Sequence, residues 1–213
     1  WAADILAKQK DGTYWENPDS CYIPKWASCA WKLAVLADLG ATRDDQRIRN
    51  SLEHYLRAHN IETGGFSHRP NGPTEPGVKP HVCLTGNMVR ALAKFGYATD
   101  ERTTKAMDWL VSVQLQDGGW NCFTEDGAKH GSFKATIEPL WALATMIPSN
   151  SSRRDWANAG KNGSEFLLQH RIYKSKRDES PVPPRVPRHS LSTPLQLRLF
   201  SWTQDPLRDG SHV

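Results

Sequence analysis

A turn marked by two adjacent glycines, Gln114-Leu-Gln-Asp-Gly-Gly-Trp120, is the sequence feature that most constrains how this chain can fold. In the residues before it, 100–113, apolar side chains recur every three to four positions, which predicts an amphipathic helix. The Asp-Gly-Gly ends that helix, because glycine reaches positive φ angles without steric cost. Trp120 follows at once and is predicted to cover the helix end with its large apolar ring.

Two degenerate copies of this turn precede it, at residues 9–15 and 62–66. The corresponding glycines lie 53 and 54 residues apart, at Gly12, Gly65 and Gly119. Each repeat unit contains an apolar helix followed by an amphipathic one. The apolar helices are predicted at residues 25–39, 84–95 and 135–146. The amphipathic helices are predicted at residues 45–58, 100–113 and 154–169, with Gly160 and Gly163 interrupting the last of them.

The two kinds of helix indicate two layers. A helix that is apolar on nearly all sides is normally buried, whereas one with a single apolar face lies at the surface. One such hairpin cannot bury its own apolar face, so neighbouring hairpins must stack. The sequence therefore predicts an all-α fold over residues 1–170, a partial α/α toroid of about three helical hairpins. The missing half of the ring, or a second copy of the chain, would complete it.

Composition narrows the functional classes. The net charge of +4 is mild and spread along the chain, so we expect no nucleic-acid partner. No apolar run approaches the roughly 20 residues of a membrane span, although contact with a membrane surface stays open. Four cysteines do not make a disulfide scaffold, which favours reduced thiols and a cytoplasmic location. The chain opens on Trp1 rather than Met, and we expect it to be cut from a longer protein.

The motif at 114–120, with glycine-ended helix pairs on either side, resembles the repeat of the terpene cyclase/protein prenyltransferase superfamily. This superfamily includes squalene–hopene cyclases, oxidosqualene cyclases and prenyltransferase β subunits. Cys83-Leu-Thr-Gly-Asn-Met, with Asp-Gly-Gly-Trp-Asn-Cys122, is also similar to a prokaryotic, squalene cyclase-like branch. The resemblance covers residues 1–170. It implies an isoprenoid-handling toroid whose inner helices enclose a hydrophobic polyprenyl or triterpene-type substrate.

Whether such a toroid is catalytic stays open, because a proton-donating acid is hard to find. The Asp-x-Asp-Asp run that supplies it in squalene–hopene cyclases does not occur. The pair Asp44 and Asp45 is the sequence most similar to that run, but it stands at a helix start and is interpreted as a cap. Glu138 lies near the start of an inner helix, where it could face the cavity as an acid. The alternative is that it pairs with the dipole of the first helical turn.

A metal site is the second candidate. Cys83, Cys122 and His130 belong to loops that enter inner helices, so we expect them on one rim of the toroid. Thiolate and imidazole ligands suit zinc, and His81 and Cys21 could complete the set. Prenyltransferase β subunits resemble this in using an Asp, a Cys and a His, but here His81 replaces the Asp. The alternative is that these residues are buried thiols and ordinary loop histidines.

Three tryptophans on the predicted inner helices could line a substrate cavity or stabilise a carbocation through their π faces: Trp26, Trp31 and Trp141. Simple packing is the alternative role for them. Two functions therefore stay open. The first is an isoprenoid-binding enzyme. The second is a non-catalytic toroid that is stabilised by a bound metal ion and that binds a partner.

The last segment, residues 171–213, does not continue the repeat. It holds six of the fourteen prolines and shows no apolar period. Its richness in Ser, Pro, Arg and Leu is typical of translation in a shifted frame, since three of these residues have six codons each. We expect an irregular tail that is disordered or out of frame.

Overall fold

The computed structural model describes residues 1–69, 78–172 and 174. In this part of the chain the protein forms seven α-helices and no β-strand, which confirms the all-α class. The helices are α1 (Ala2–Ala7), α2 (Cys29–Asp38), α3 (Gln46–Leu56), α4 (Val82–Leu92), α5 (Glu101–Ser112), α6 (Phe133–Met146) and α7 (Arg154–Gln169). The tail predicted for 171–213 lies almost entirely outside the described residues.

The three apolar helices α2, α4 and α6 lie side by side, with α4 in the middle. Gly86 of α4 faces the backbone of α6, where an added Cβ atom would stand 2.7 Å from the Glu138 carbonyl carbon. One turn further along each helix, the Arg90 guanidinium lies over the Trp141 ring. The contacts advance in the same direction on both helices, so α4 and α6 run parallel.

The amphipathic helices form a second layer. Each of α3, α5 and α7 packs against the apolar helix that precedes it in the chain, and α5 also contacts α7. The side chains between the layers form one continuous apolar core. None of the helices in the described part of the chain combines the length and apolar character that a membrane span requires.

The predicted repeat of the glycine turn is present in the backbone. In each of the three turns a backbone amide shortly after the preceding helix donates to a carbonyl four or five residues later. These bonds run from Lys10 to Tyr14 (2.7 Å), from Asn60 to Gly65 (2.8 Å) and from Leu115 to Gly119 (3.0 Å). One glycine in each turn has positive φ, namely Gly12, Gly64 and Gly118. The three segments are therefore copies of one structural unit.

The aromatic residue that closes each turn is fully buried: Trp15, Phe66 and Trp120. The two tryptophans make the same hydrogen bond, because each indole Nε1–H donates to the carbonyl ten residues earlier. Trp15 bonds to Ile5 (2.8 Å) and Trp120 to Leu110 (2.6 Å). Trp120 therefore covers the end of the preceding helix, as its sequence position predicts.

The two turns that begin with glutamine are also bound to the next amphipathic helix. The Gln9 amide donates to the Arg47 carbonyl of α3 (3.0 Å), and the Gln114 amide donates to the Ala159 carbonyl of α7 (2.9 Å). Gly118 lies so close to α7 that an added Cβ atom would be 2.6 Å from a carbonyl oxygen of that helix. Successive units are thus joined by polar contacts as well as by apolar packing.

Two details of the predicted helices were wrong, one start and one interruption. The first apolar helix begins at Cys29 rather than at residue 25, and Trp26 lies before it with a φ of 66°. The last amphipathic helix is continuous from Arg154 to Gln169, so Gly160 and Gly163 do not interrupt it. Gly163 is instead required by packing, because an added Cβ atom would stand 2.5 Å from the Trp120 ring.

Candidate functional site

One side of the inner helices is not covered by the outer layer. On α4 it is formed by half-buried residues at positions i, i+4 and i+7 whose neighbours are buried, namely Cys83, Asn87 and Arg90, and position i+11 is the exposed Lys94, two residues beyond the helix. The same spacing on α6 presents Lys134, Glu138, Trp141 and Thr145. On α2 the uncovered side includes Trp31, Val35 and Asp38. We call this surface the open face.

Polar contacts hold the three helices together across the open face. The Asp38 carboxylate at the end of α2 accepts a hydrogen bond from Lys94 (2.6 Å) and another from Arg90. Arg90 also lies over the Trp141 ring, 5.0 Å from its centroid. The open face therefore has a cationic end, at which one carboxylate pairs with two basic side chains.

Glu138 occupies the middle of the open face. Its Oε2 atom is buried and has no hydrogen-bond partner. Burial raises the pKa of this carboxyl, and the hydrogen bond from Asn87 together with the charges of Arg90 and Lys134 offsets the rise only in part. The alternative prediction, that Glu138 pairs with the dipole of the first helical turn, is wrong. The helix α6 begins at Phe133, so Glu138 lies in its second turn.

Cys83 and Cys122 meet beside Glu138. Cys83 is in the first turn of α4, Cys122 follows the Trp120 turn, and their Sγ atoms are 2.6 Å apart. Both thiols are free. Hydrogen bonds from the Cys83 thiol and from its backbone amide lower the pKa of Cys122. The hydrogen bond to Cys122 and burial raise the pKa of Cys83, so any negative charge of the pair resides on Cys122.

Tyr22 adds a hydroxyl to the same cluster. Burial raises the pKa of Tyr22 to about 12, and the nearby groups of Cys83, Cys122 and Glu138 add to this effect. Its backbone carbonyl accepts a hydrogen bond from the Trp31 indole (3.1 Å). Tyr22 therefore connects the polar cluster to the aromatic residues of α2.

The three tryptophans that were predicted to line a substrate cavity lie at or beside the open face. The ring of Trp31 is 5.2 Å from that of Tyr22 and 4.3 Å from that of Trp26, which makes one aromatic group. Trp26 contributes from the segment before α2 rather than from the helix itself, and it is 46% exposed. Trp141 is 48% exposed and lies on α6. Aromatic surface is thus present on α6 and next to the start of α2.

The predicted metal ligands are brought together only in part. Cys83 and Cys122 are in contact, whereas Cys21 is fully buried, and burial together with the nearby Cys29 thiol raises its pKa. His130 is exposed, with its Nδ1 atom 3.9 Å from an Asp117 carboxylate oxygen.

His81, another predicted ligand, precedes the first residue of α4, and its ring lies 5.9 Å from that of His68. Over residues 1–69, 78–172 and 174, no group of three or more His, Cys, Asp or Glu side chains could hold a metal ion. A zinc site therefore stays a prediction, for which the structure brings together two of the predicted ligands, Cys83 and Cys122.

The remaining carboxylates near helix ends have structural roles, as their positions predict. Asp45 caps α3 by accepting from the Arg47 amide (2.9 Å). Asp117 accepts from the backbone amides of Gly119 (3.0 Å) and Gly131 (2.7 Å) and so closes its own turn. Among the acidic residues considered from the sequence, Glu138 is the one that the structure places on the open face.

Two residues of the site were missed by sequence reasoning. Asn87 had a detectable signal, because it lies four residues after Cys83 on an apolar helix and must share its side. Tyr22 had none, since it stands in an irregular segment whose path the sequence does not specify. No protein-family model and no curated protein matches the chain. Function is therefore inferred from the geometry of the open face.

Proposed function

We propose that the chain forms part of an α/α toroid and binds a hydrophobic polyprenyl or triterpene-type molecule on its open face. The side-by-side packing of α2, α4 and α6, with an outer layer behind them, supports a ring of inner and outer helices. A ring closed by further hairpins or by a second copy would turn the open face into a cavity wall. The predicted cytoplasmic location, with contact to a membrane surface, belongs to the same proposal.

The observation that carries this proposal is the environment of Glu138. A buried carboxyl oxygen without a partner is costly, so its presence on the open face points to a ligand group that it would contact. The raised pKa favours the neutral acid, which can donate a proton or a hydrogen bond. The π faces of Trp31 and Trp141 suit a polyene chain and stabilise positive charge.

Binding is tested with two probes, squalene and geranylgeranyl diphosphate, each labelled and presented in detergent micelles to the full chain. Trp31→Ala is expected to weaken binding at least about tenfold, since loss of one aromatic contact costs roughly 1.5–3 kcal/mol. Leu168→Ala is the matched control, because Leu168 is an exposed apolar residue of α7 outside the open face. Absence of binding by both probes, or equal weakening by the two substitutions, would contradict the proposal.

Product analysis after incubation with squalene distinguishes an enzyme from a binding module. Cyclised product that is lost in Glu138→Gln would assign the proton-donating role to this carboxyl. Binding without conversion would support the non-catalytic function. The amide is nearly the same size as the carboxyl, so ligand binding serves as the control for an intact open face.

The contact between Cys83 and Cys122 favours a second candidate, a non-catalytic toroid stapled by zinc. Two thiolates supply half of a four-coordinate site, and histidine supplies the other ligand type that zinc prefers. Metal analysis of the purified chain tests this. Stoichiometric zinc, with loss of thermal stability on chelation, would support it, and metal-free protein of unchanged stability would exclude it.

A further inference from the structure

We propose that Cys83 and Cys122 form a redox-modification site that reacts with a low-molecular-weight disulfide and closes an intramolecular bond between α4 and the segment after the Trp120 turn. This inference is independent of ligand binding by the open face. It also differs from the zinc candidate, because it requires the two thiols alone.

The geometry of the pair supports the reaction. The residues are 39 apart in the chain, yet their Sγ atoms lie 2.6 Å from each other. A covalent S–S bond measures about 2.05 Å, so its formation needs adjustment of two side chains and no rearrangement of the fold. Both residues are half-buried, whereas Cys21 and Cys29 are fully buried. Reagents in solution therefore reach the first pair before the second.

The surroundings assign the attacking sulfur. Cys122 faces the backbone amide of Cys83, in the first turn of α4, and it lies near the Lys134 ammonium group. Positive charge and amide donors at a helix N-terminus favour a thiolate. The carboxyl of Glu138 opposes this effect from the other side.

The Cys122 thiolate attacks one sulfur of the small disulfide RSSR, the S–S bond breaks, and RS⁻ leaves and takes up a proton. The Cys83 thiol then loses its proton and attacks Cys122 Sγ, which expels the second RS⁻. The two protein thiols lose two electrons and two protons in total, and RSSR is reduced to two RSH. The product is one Cys83–Cys122 disulfide.

The test uses the full chain, reduced and treated with a chelator so that no metal protects the thiols. After incubation with glutathione disulfide, remaining thiols are alkylated and the linked peptides are mapped under non-reducing conditions. We expect free thiols to fall from four to two, with a single link between residues 83 and 122. Retention of all four thiols, a different link, or a stable glutathione adduct in the unaltered chain would overturn the proposal.

Two variants test the order of attack. Cys83→Ser is expected to stop at a mixed disulfide between Cys122 and glutathione, formed within a factor of about three of the normal rate. Cys122→Ser is expected to slow adduct formation at Cys83 at least about tenfold. Equal rates in the two variants would contradict the assigned roles. Helical circular dichroism checks that each variant is folded, and the peptide map of the unaltered chain needs no variant at all.

Discussion

The six-membered ring of Trp120 lies against the backbone of Gly163, at a point where an added Cβ atom would be 2.5 Å from Cζ3. Trp120 closes the most complete glycine turn, and Gly163 lies inside α7, the amphipathic helix of the following hairpin. A Cβ atom added at Gly163 would also lie 3.0 Å from Cδ2 of Leu140 in α6. One glycine thus lets a turn, an inner helix and an outer helix meet.

Gly163→Ala should therefore destabilise the protein although alanine favours helices. Overpacking of a dense core costs about 1–3 kcal/mol, which exceeds the helix-propensity gain of roughly 1 kcal/mol. Gly160→Ala is the matched control in the same helix, because its nearest neighbour is a Leu143 carbon at 3.8 Å. We expect Gly160→Ala to stabilise by about 0.5–1 kcal/mol. Chemical unfolding of both variants measures the difference, and equal effects would show that Trp120 is not confined by Gly163.

Gln114 is expected to contribute to stability through two hydrogen bonds. Its amide donates to the Gly118 carbonyl (2.8 Å) within the turn and to the Ala159 carbonyl (2.9 Å) in α7. Gln114→Ala should lower the free energy of unfolding by about 1–3 kcal/mol, since both carbonyls lose a partner. Gln116→Ala, at an exposed position of the same turn, should have an effect below about 0.5 kcal/mol. Thermal unfolding that does not distinguish the two would argue against this link.

The buried carboxyl of Glu138 makes stability depend on pH in a defined direction. Its folded-state pKa is raised above the ordinary value of 4.5, so the folded chain binds more protons than the unfolded chain above that pH. Stability is therefore lost as pH rises through this range. Glu138→Gln removes the effect, so its melting temperature relative to that of the unaltered chain should rise as the pH increases above 4.5. Glu165→Gln, at an exposed position on α7, is the control. A constant difference across this range would refute the interpretation.

Asp100 should show the opposite pH dependence. It caps α5 by accepting from the Arg102 amide (2.9 Å), and its hydrogen bond with the Arg102 side chain lowers its pKa below 3.8. The stability it provides is present above pH 3.8 and is lost as pH falls through its folded-state pKa. Asp100→Ala should cost about 1 kcal/mol at neutral pH.

Asp100→Asn separates the cap from the charge, because the amide oxygen still accepts from the helix. We expect this variant to keep most of the stability at neutral pH, and to lose the Asp100 contribution to acid sensitivity. Urea unfolding at about pH 7 and about pH 3 provides the comparison. If Asp100→Asn were as unstable as Asp100→Ala at neutral pH, the ion pair with Arg102 rather than the cap would be the main contribution.

The repeat and its helices could be predicted because each rests on local chemistry. Asp100 caps a helix, Gly118 reverses the chain, and apolar spacing marks the buried sides. The third outer helix has the predicted bounds, Arg154–Gln169, although Gly163 suggested an interruption. Gly163 is instead required by its contact with Trp120, which is distant in sequence. Propensity cannot anticipate such a contact, because tertiary packing decides it.

The candidate site was predictable only where it lies on a regular helix. Glu138 and Cys83 occupy helical positions whose direction follows from periodicity, and Cys122 was expected on the same rim as Cys83. Tyr22 and Trp26 belong to an irregular segment, so their approach to Trp31 depends on a backbone path that has no periodic signal. The register between α4 and α6, which brings Glu138 opposite Gly86, is likewise set by side-chain packing rather than by spacing.

The link from Gln114 to α7 has a mechanical consequence. Under tension at its C-terminal end, the chain cannot release α7 without breaking the bond to the preceding turn and uncovering Trp120. Since α6 and α7 share that turn, they should detach together. Extension would then proceed by whole hairpins, each adding about 180 Å of contour length for a unit of 54 residues.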